Sequence, residues 1–226
     1  MRTPKHFNKW FEGWPQLVCF DLDGTLVDSV PDLALAVDHF LSEQGNVVAG
    51  EGNVRQWVGN GASSLVRQAM AFADIDDDSY EACYHSFLVA YKENLTNQTA
   101  LYGNVLDLLK ALKLNHVPMA LITNKPSAFV TPILEHFAIK DYFSWILGGD
   151  TLEERKPSAL PLLHCAEAIE ADVSQCLMIG DSQTDSRAAT AANFKQVLVT
   201  YGYHQDVDLN SLEADLLIDD LVELLL

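Results

Sequence analysis

Positive charge is scarce in this chain: 14 Lys and Arg stand against 32 Asp and Glu, a formal charge of -18 over 226 residues. Such a surface repels phosphate backbones and anionic lipid, which excludes nucleic acid and membrane surfaces as partners. Long apolar runs are also missing, and no stretch approaches the roughly twenty residues that a membrane-spanning helix needs. Cysteine is sparse. Cys19, Cys83, Cys165 and Cys176 lack Cys-x-x-Cys spacing and two lie in apolar strand-like runs, which reads as buried reduced thiols rather than disulfides or metal ligands. The seven histidines are scattered without ligand spacing, and none is given a catalytic role. A charged-then-apolar leader is lacking at the start, so the expected compartment is the cytoplasm.

What is present is a globular composition, 49% hydrophobic, long enough for one large domain or a core with a smaller insert. The chain is organised around Leu17-Val18-Cys19-Phe20-Asp21-Leu22-Asp23-Gly24-Thr25. Four apolar residues make one buried strand, which ends in two carboxylates spaced i, i+2, then a glycine and a hydroxyl. In open α/β sheets the carboxyl ends of strands are where ligands sit. A turn beginning at Gly24 swings the second acid over whatever the first one attacks. One acid is then a nucleophile and the other a proton donor, whereas a bare Asp-x-Asp-Gly is also explained by a solvated turn. An anionic nucleophile facing an anionic phosphate needs neutralising, so a hard divalent cation and one or two lysines are expected at the site.

The rest of the chain alternates. Helical periodicity covers 31–44, about 53–72 and 79–92, with Ser29 as a cap and Gly45 as a stop for the first, and an acidic turn at 74–79. From Leu101 onward, helices at 105–114, 126–137, 159–169 and 184–192 interleave with strands at 119–123, 145–147, 176–179 and 196–199. An edge strand at 216–218 and a closing helix follow. This order implies a parallel sheet with helices on both faces. In the helical stretch, Trp57-Val58-Gly59-Asn60-Gly61 interrupts the pattern and reads either as a plain helix break or as a loop whose following helix faces an anion. Arg55 and Arg67 flank it as candidate anion contacts or as solvated residues. No role is attached to the first fifteen residues.

The segment Phe20-Asp21-Leu22-Asp23-Gly24-Thr25-Leu26 resembles the first motif of the haloacid dehalogenase superfamily. Leu121-Ile122-Thr123-Asn124-Lys125, Lys156-Pro157 and Ile179-Gly180-Asp181-Ser182 with Asp185 resemble its later motifs in the right order. The Trp57 to Gly61 loop, with Thr200-Tyr201-Gly202-Tyr203, is similar to bacterial phosphoglycolate phosphatases. The resemblance implies a Rossmann-like three-layer α/β core with an inserted all-helical cap, the core formed by 1–30 and 97–226 and the cap by 31–96. It implies a Mg2+-dependent phosphate monoester hydrolase working through an aspartyl phosphate, with 2-phosphoglycolate as the first-choice substrate. Other small phosphorylated metabolites (sugar phosphates, nucleotides, pyrophosphate), a β-phosphoglucomutase-like mutase, and an inactive binding module are the alternatives.

The roles implied are Asp21 as nucleophile, Asp23 as acid and base, and Thr123 and Lys156 as groups on the phosphate and the transition-state charge. Asn124 and the Gly59, Asn60 and Gly61 loop contact substrate, and Lys125 lines its entrance. Magnesium is held by Asp21, the main-chain carbonyl of Asp23 and Asp181, with Asp185 and Ser182 supporting from behind. As partners the resemblance implies a small phosphorylated metabolite, no nucleic acid and no membrane, with the chain acting as a monomer or a homodimer. Two departures from the family pattern, Ser158-Ala159 after Lys156-Pro157 and Asn193 in place of a helix-ending glycine, touch capping rather than reacting groups.

Overall fold

The computed structural model describes residues 3–45 and 47–226. A short helix α1 (Lys5–Trp10) precedes strand β1 (Leu17–Phe20) and the two-residue strand β2 (Val27–Asp28). Four helices come next: α2 (Val30–Gly45), α3 (Gly50–Trp57), α4 (Ala62–Phe72) and α5 (Tyr80–Glu93). The chain returns through β3 (Ala100–Leu101) and then alternates through α6 (Val105–Leu114), β4 (Met119–Ile122), α7 (Ser127–His136), β5 (Trp145–Leu147), α8 (Leu160–Glu167), β6 (Cys176–Gly180), α9 (Gln183–Ala192), β7 (Lys195–Val199) and β8 (Leu216–Ile218). No helix among the described residues is long and apolar enough to cross a membrane.

Strands β5-β4-β1-β6-β7-β8 form one six-stranded sheet in which every pairing is parallel. Its strands are apolar on both faces, and their side chains sort by the two-residue period into two cores. Val18, Phe20, Met119, Leu121, Leu177 and Ile179 pack on one side with α6 and α7. Leu17, Cys19, Ala120, Ile122, Cys176 and Met178 pack on the other with α8 and α9. The three-layer α/β core is therefore as expected from the alternating pattern. Cys19, Cys165 and Cys176 are free and buried in the second of these cores, and Cys83 is free and buried in the first.

The strand order reverses at β1, which has β4 on one side and β6 on the other, and this switch point is where a doubly wound sheet opens a crevice. The helices α2 to α5 leave and re-enter beside it. β2 and β3 pair antiparallel at that junction, with Val27 opposite Leu101. Asp32, fully buried in the first turn of α2, accepts from the backbone N–H of Gln98 and Thr99 and from the Thr99 hydroxyl at 2.7–3.0 Å. One carboxylate thus ties the outgoing chain to the returning one, and the positive end of the helix dipole favours its charge.

The stretch that interrupts the helical pattern does break it, separating α3 from α4 at 58–61, where Gly59 and Gly61 take φ of +126° and +87° that a Cβ disfavours. The Ser29 hydroxyl, expected as a cap of α2, donates to Asp23 Oδ1 at 2.5 Å. The closing helix is a 3₁₀ turn at Leu221–Leu225, capped by Asp220. Asn193 does adopt the left-handed conformation at the end of α9, with φ 57° and ψ 33°. Far from being unattached, Phe7 and Phe11 of the first fifteen residues are buried against the body, with the Lys5 N–H bonded to the Leu226 carbonyl.

Candidate active site

Asp21, Thr123 and Asp181 are the residues immediately after β1, β4 and β6, so three adjacent parallel strands deliver them to one place. Backbone pairing continues past the strands and fixes their level: the Asp21 N–H donates to the Ile179 carbonyl and the Thr123 N–H to the Leu147 carbonyl. Lys156 arrives from the loop before α8. Its ammonium lies 2.8 Å from Asp21 Oδ1 and 2.6 Å from Asp185 Oδ1, and all three side chains are buried. Asp185 is held in turn by the N–H groups of Asp181 and Ser182 and by the Ser182 hydroxyl at 2.6–3.2 Å. Ser182 and Asp185 make a capping box at the start of α9, so the helix end that sets this loop also orients the lysine's partner.

Asp21, Asp181 and Asp185 present oxygens within 4.8 Å of one another. Three buried carboxylates face one ammonium, which leaves the cluster short of positive charge. Burial pushes Asp21 up to about 7 against the pull of Lys156. Asp181 is pushed well above the carboxylate range by burial, with Asp185 and Asp21 adding to the repulsion. A donor set of hard, anionic, under-neutralised oxygens fits a divalent cation of the magnesium or calcium type. Asp181 is aimed by the Thr25 hydroxyl (3.0 Å) and the Tyr203 N–H (2.6 Å). Gly24 and Gly202 press on the same side chain, since a Cβ at either would come within 2.2 Å of an Asp181 side-chain atom.

The cation deficit sets the stability of the unloaded protein. A carboxyl whose pKa is about 7 folded and near 3.8 unfolded binds more protons in the folded state between those values. Its contribution is fully favourable below the lower value and is lost as the pH rises through the upper one. Metal-free protein should therefore melt at least about 3 °C higher at pH 5.5 than at pH 8, the shift that roughly 1 kcal/mol produces in a chain of this size. A divalent cation should flatten that slope. Thermal melts in chelator and in excess cation check this, and a slope that Asp21→Asn leaves unchanged would count against Asp21 as its source.

Asp23 leaves the cluster. Its carboxylate turns into a cleft lined by Asp21, Gly59, Gly61, Tyr91, Thr123 and Lys125 and walled by apolar side chains from α2, α4, α5 and α7. There it meets the Lys125 ammonium at 2.9 and 3.1 Å. Thr123 Oγ1 accepts from the Lys125 N–H, so its O–H is left to donate toward the cleft. Asn124 lines the same cleft, with its amide nitrogen already engaged. Its Nδ2 donates to the carbonyls of Lys156 and Gly59, a bridge between the core and the helical segment, and its buried Oδ1 has no partner.

Of the 59–61 loop, Gly59 and Gly61 reach the cleft. The Asn60 side chain faces Gln205 and Thr184 instead, at 3.4 Å from each. Arg55 pairs with Asp28 at 3.2 Å and stacks over Tyr203, and Arg67 pairs with Asp77 and stacks over Tyr80, so neither is aimed at the cleft. Lys125 lies deeper than an entrance residue, and its partnership with Asp23 was not read from the sequence. Nor were the Thr25, Tyr203 and Gly202 contacts on Asp181. Their nearest signals were the hydroxyl after Gly24 and the Thr200 to Tyr203 segment, whose partner across the chain no spacing reveals.

Comparison with known proteins agrees with this geometry. The family model for haloacid dehalogenase-like hydrolases matches residues 18–199. The chain is 46% identical to a phosphoglycolate phosphatase of Pseudomonas putida, covering 97% of this chain and 82% of that protein. It is 45% identical to phosphoglycolate phosphatase 1 of Pseudomonas aeruginosa, covering 93% and 79%. A crystal structure described as a predicted phosphoglycolate phosphatase from Haemophilus somnus superposes with a TM-score of 0.90 at 38% identity, covering 93% of this chain and 96% of that one. With acids ending β1 and β6, a threonine ending β4 and a buried lysine between them, the chain belongs to the haloacid dehalogenase-like hydrolase family.

Proposed function

We propose that the chain hydrolyses 2-phosphoglycolate to glycolate and phosphate, with Mg2+ as cofactor. The observation that carries this reading is the buried Asp21 carboxylate, charge-paired to Lys156 and opening onto a small cleft in which Asp23 faces it. Asp21 attacks phosphorus and becomes an aspartyl phosphate, while Asp23 gives its proton to the leaving oxygen. Asp23 then takes a proton from the water that cleaves the acyl phosphate, which returns Asp21. Lys156 offsets the charge that builds on the phosphoryl oxygens, and the Thr123 hydroxyl donates to one of them. Asp21, Asp181 and the Asp23 carbonyl would hold Mg2+, which would supply further positive charge where two anions must meet. Asp185 and Ser182 keep Lys156 and the 181–182 loop in place.

In this reading residues 31–96 act as a cap over a core of 1–30 and 97–226, and the cap excludes water during the first transfer. Gly59 and Gly61 are its contribution to the cleft, and Asn60 holds the loop to the core through Gln205 and Thr184. The substrate assignment rests on the names of the relatives and on a cleft walled by aliphatic and aromatic side chains with few polar groups. Comparing kcat/KM across 2-phosphoglycolate, sugar phosphates, β-glucose 1-phosphate, nucleotides and pyrophosphate tests it. Preference for any of the others by more than about ten-fold, or 1.4 kcal/mol, defeats the substrate but not the hydrolase.

The metal assignment has its own test. Gly202→Ala places a methyl group 2.2 Å from the Asp181 Cβ and 2.5 Å from its Oδ2, so the 200–203 segment and the end of β6 must part and the carboxylate is displaced. The Mg2+ concentration for half-maximal activity should rise about 10- to 100-fold, the usual cost of losing a ligand's support. An unchanged requirement would mean that Asp181 does not hold the ion.

A further inference from the structure

Besides Asn124, whose amide nitrogen bridges to the Lys156 and Gly59 carbonyls, the cleft contains two polar groups that the reaction above does not use. The Lys125 ammonium is the one cationic side chain among the described residues that line it, and its side chain is only 3% exposed. Asp23 occupies at most two of its three N–H donors. The second group is Tyr91 Oη, on α5. Tyr91 is 1% exposed, its ring centroid lies 4.7 Å from the same ammonium, and its hydroxyl interacts with that ammonium without reaching good hydrogen-bond geometry, so its O–H has no acceptor. An unpaired donor in a site this dry costs stability, so such a pair is retained at a cost that an anionic guest would repay. Around it the wall is apolar: Leu33, Val58, Leu65, Phe87 and Phe129 offer nothing else to a charged group.

We infer that Lys125 and Tyr91 form the subsite for the carboxylate of the substrate, Lys125 as the charge and Tyr91 as a second donor. The inference rests on the reaction proposed above and adds the part of the substrate that the phosphate machinery does not read. Asp23 stands over the leaving oxygen, and Lys125 touches Asp23, so the ammonium lies on the leaving-group side of the cleft rather than the phosphate side. In phosphoglycolate one methylene separates the ester oxygen from the carboxyl carbon, a span of roughly 2.5 Å. That places the carboxylate within reach of a group in contact with Asp23. Two oxygens meet two donors, one on the core and one on the helical segment, so the carboxylate also draws α5 toward the core. A phosphate ester with a neutral tail leaves both donors unanswered in an apolar wall and is rejected for that reason.

The test compares 2-phosphoglycolate with ethyl phosphate, which has the same carbon count and no charge on its tail, in the full-length enzyme with Mg2+. Wild-type enzyme should favour phosphoglycolate in kcat/KM, and Lys125→Met should reduce that preference at least 30-fold, chiefly through KM for phosphoglycolate. Tyr91→Phe should reduce it about five-fold, and Lys125→Arg should recover part of what Lys125→Met loses. Equal losses on both substrates would show that Lys125 serves Asp23 or the phosphate and would overturn the subsite. A wild-type enzyme indifferent to the tail charge would overturn it as well. Preference for a different carboxylated ester, lost in Lys125→Met, would defeat phosphoglycolate as substrate and leave the subsite standing. If Lys125→Met does not fold, Lys125→Gln takes its place, and a preference left unchanged in Lys125→Gln overturns the assignment.

Discussion

Asp21→Asn should lower turnover by at least about 10⁴-fold, the scale on which loss of a covalent nucleophile acts, while the fold stays intact. Amide nitrogen and carboxylate oxygen are nearly the same size, so the packing beneath β1 is undisturbed. The charge is what disappears. Because burial outweighs the attraction of Lys156 and pushes Asp21 up to about 7, the ionised group is a burden on the metal-free protein. Lys156 keeps Asp185 as a partner at 2.6 Å, so the substitution strands no cation. Melting of the metal-free variant at pH 8 should therefore be at or above that of the wild type. Single-turnover phosphate release and a thermal melt on the same sample check both halves. Activity within a hundred-fold of wild type would eliminate the covalent route.

Lys156→Met should damage both stability and rate. It leaves Asp21 and Asp185 buried and facing each other with no cation between them, and breaking a buried ion pair from one side costs about 3–5 kcal/mol. In a chain of this length that lowers the melting temperature by about 10 °C. The rate should fall about 10²- to 10³-fold, the range seen when one electrostatic donor to a developing anion is removed. The two effects separate in the double variant with Asp185→Asn. Removing the second carboxylate should restore a large part of the melting temperature and none of the rate, because Asp185 contacts the lysine rather than the cleft. Recovery of both together would mean that Lys156 matters only as a structural counter-charge.

Much of the core could be read from the chain because its physics is local. β1, β4 and β6 are apolar runs bounded by turn residues, and each ends on a residue that can do chemistry: Asp21, Thr123 and Asp181. A parallel sheet puts all its carboxyl ends on one side, so three such strands imply one site before any distance is known. In the helical segment the break between α3 and α4 was visible in the two glycines at 59 and 61, but whether the loop faced an anion was not, because that depends on what packs across from it. A serine before a helix signals a cap, but the donation of the Ser29 hydroxyl to Asp23 at 2.5 Å depends on the turn at Gly24 folding the chain back, which no helix-start pattern shows.

By itself the sequence determined the alternation that makes a parallel sheet with helices on both faces and the acids that end two of its strands, Asp21 and Asp181, because burial patterns and strand ends are written in neighbouring residues; Lys156, in a charged loop, was singled out only by its resemblance to a family motif. The tertiary structure alone decided which carboxylate each lysine meets. Lys125 and Lys156 are both polar residues in loops as far as composition goes, yet one is drawn to Asp23 across 102 positions and the other lies between Asp21 and Asp185. It also decided that Tyr91, an ordinary aromatic on a helix, ends with its hydroxyl unpaired beside Lys125. Charge pairing in a dry cleft depends on distances of about 3 Å between distant segments, and Coulomb attraction that short in range leaves no periodic trace along the chain.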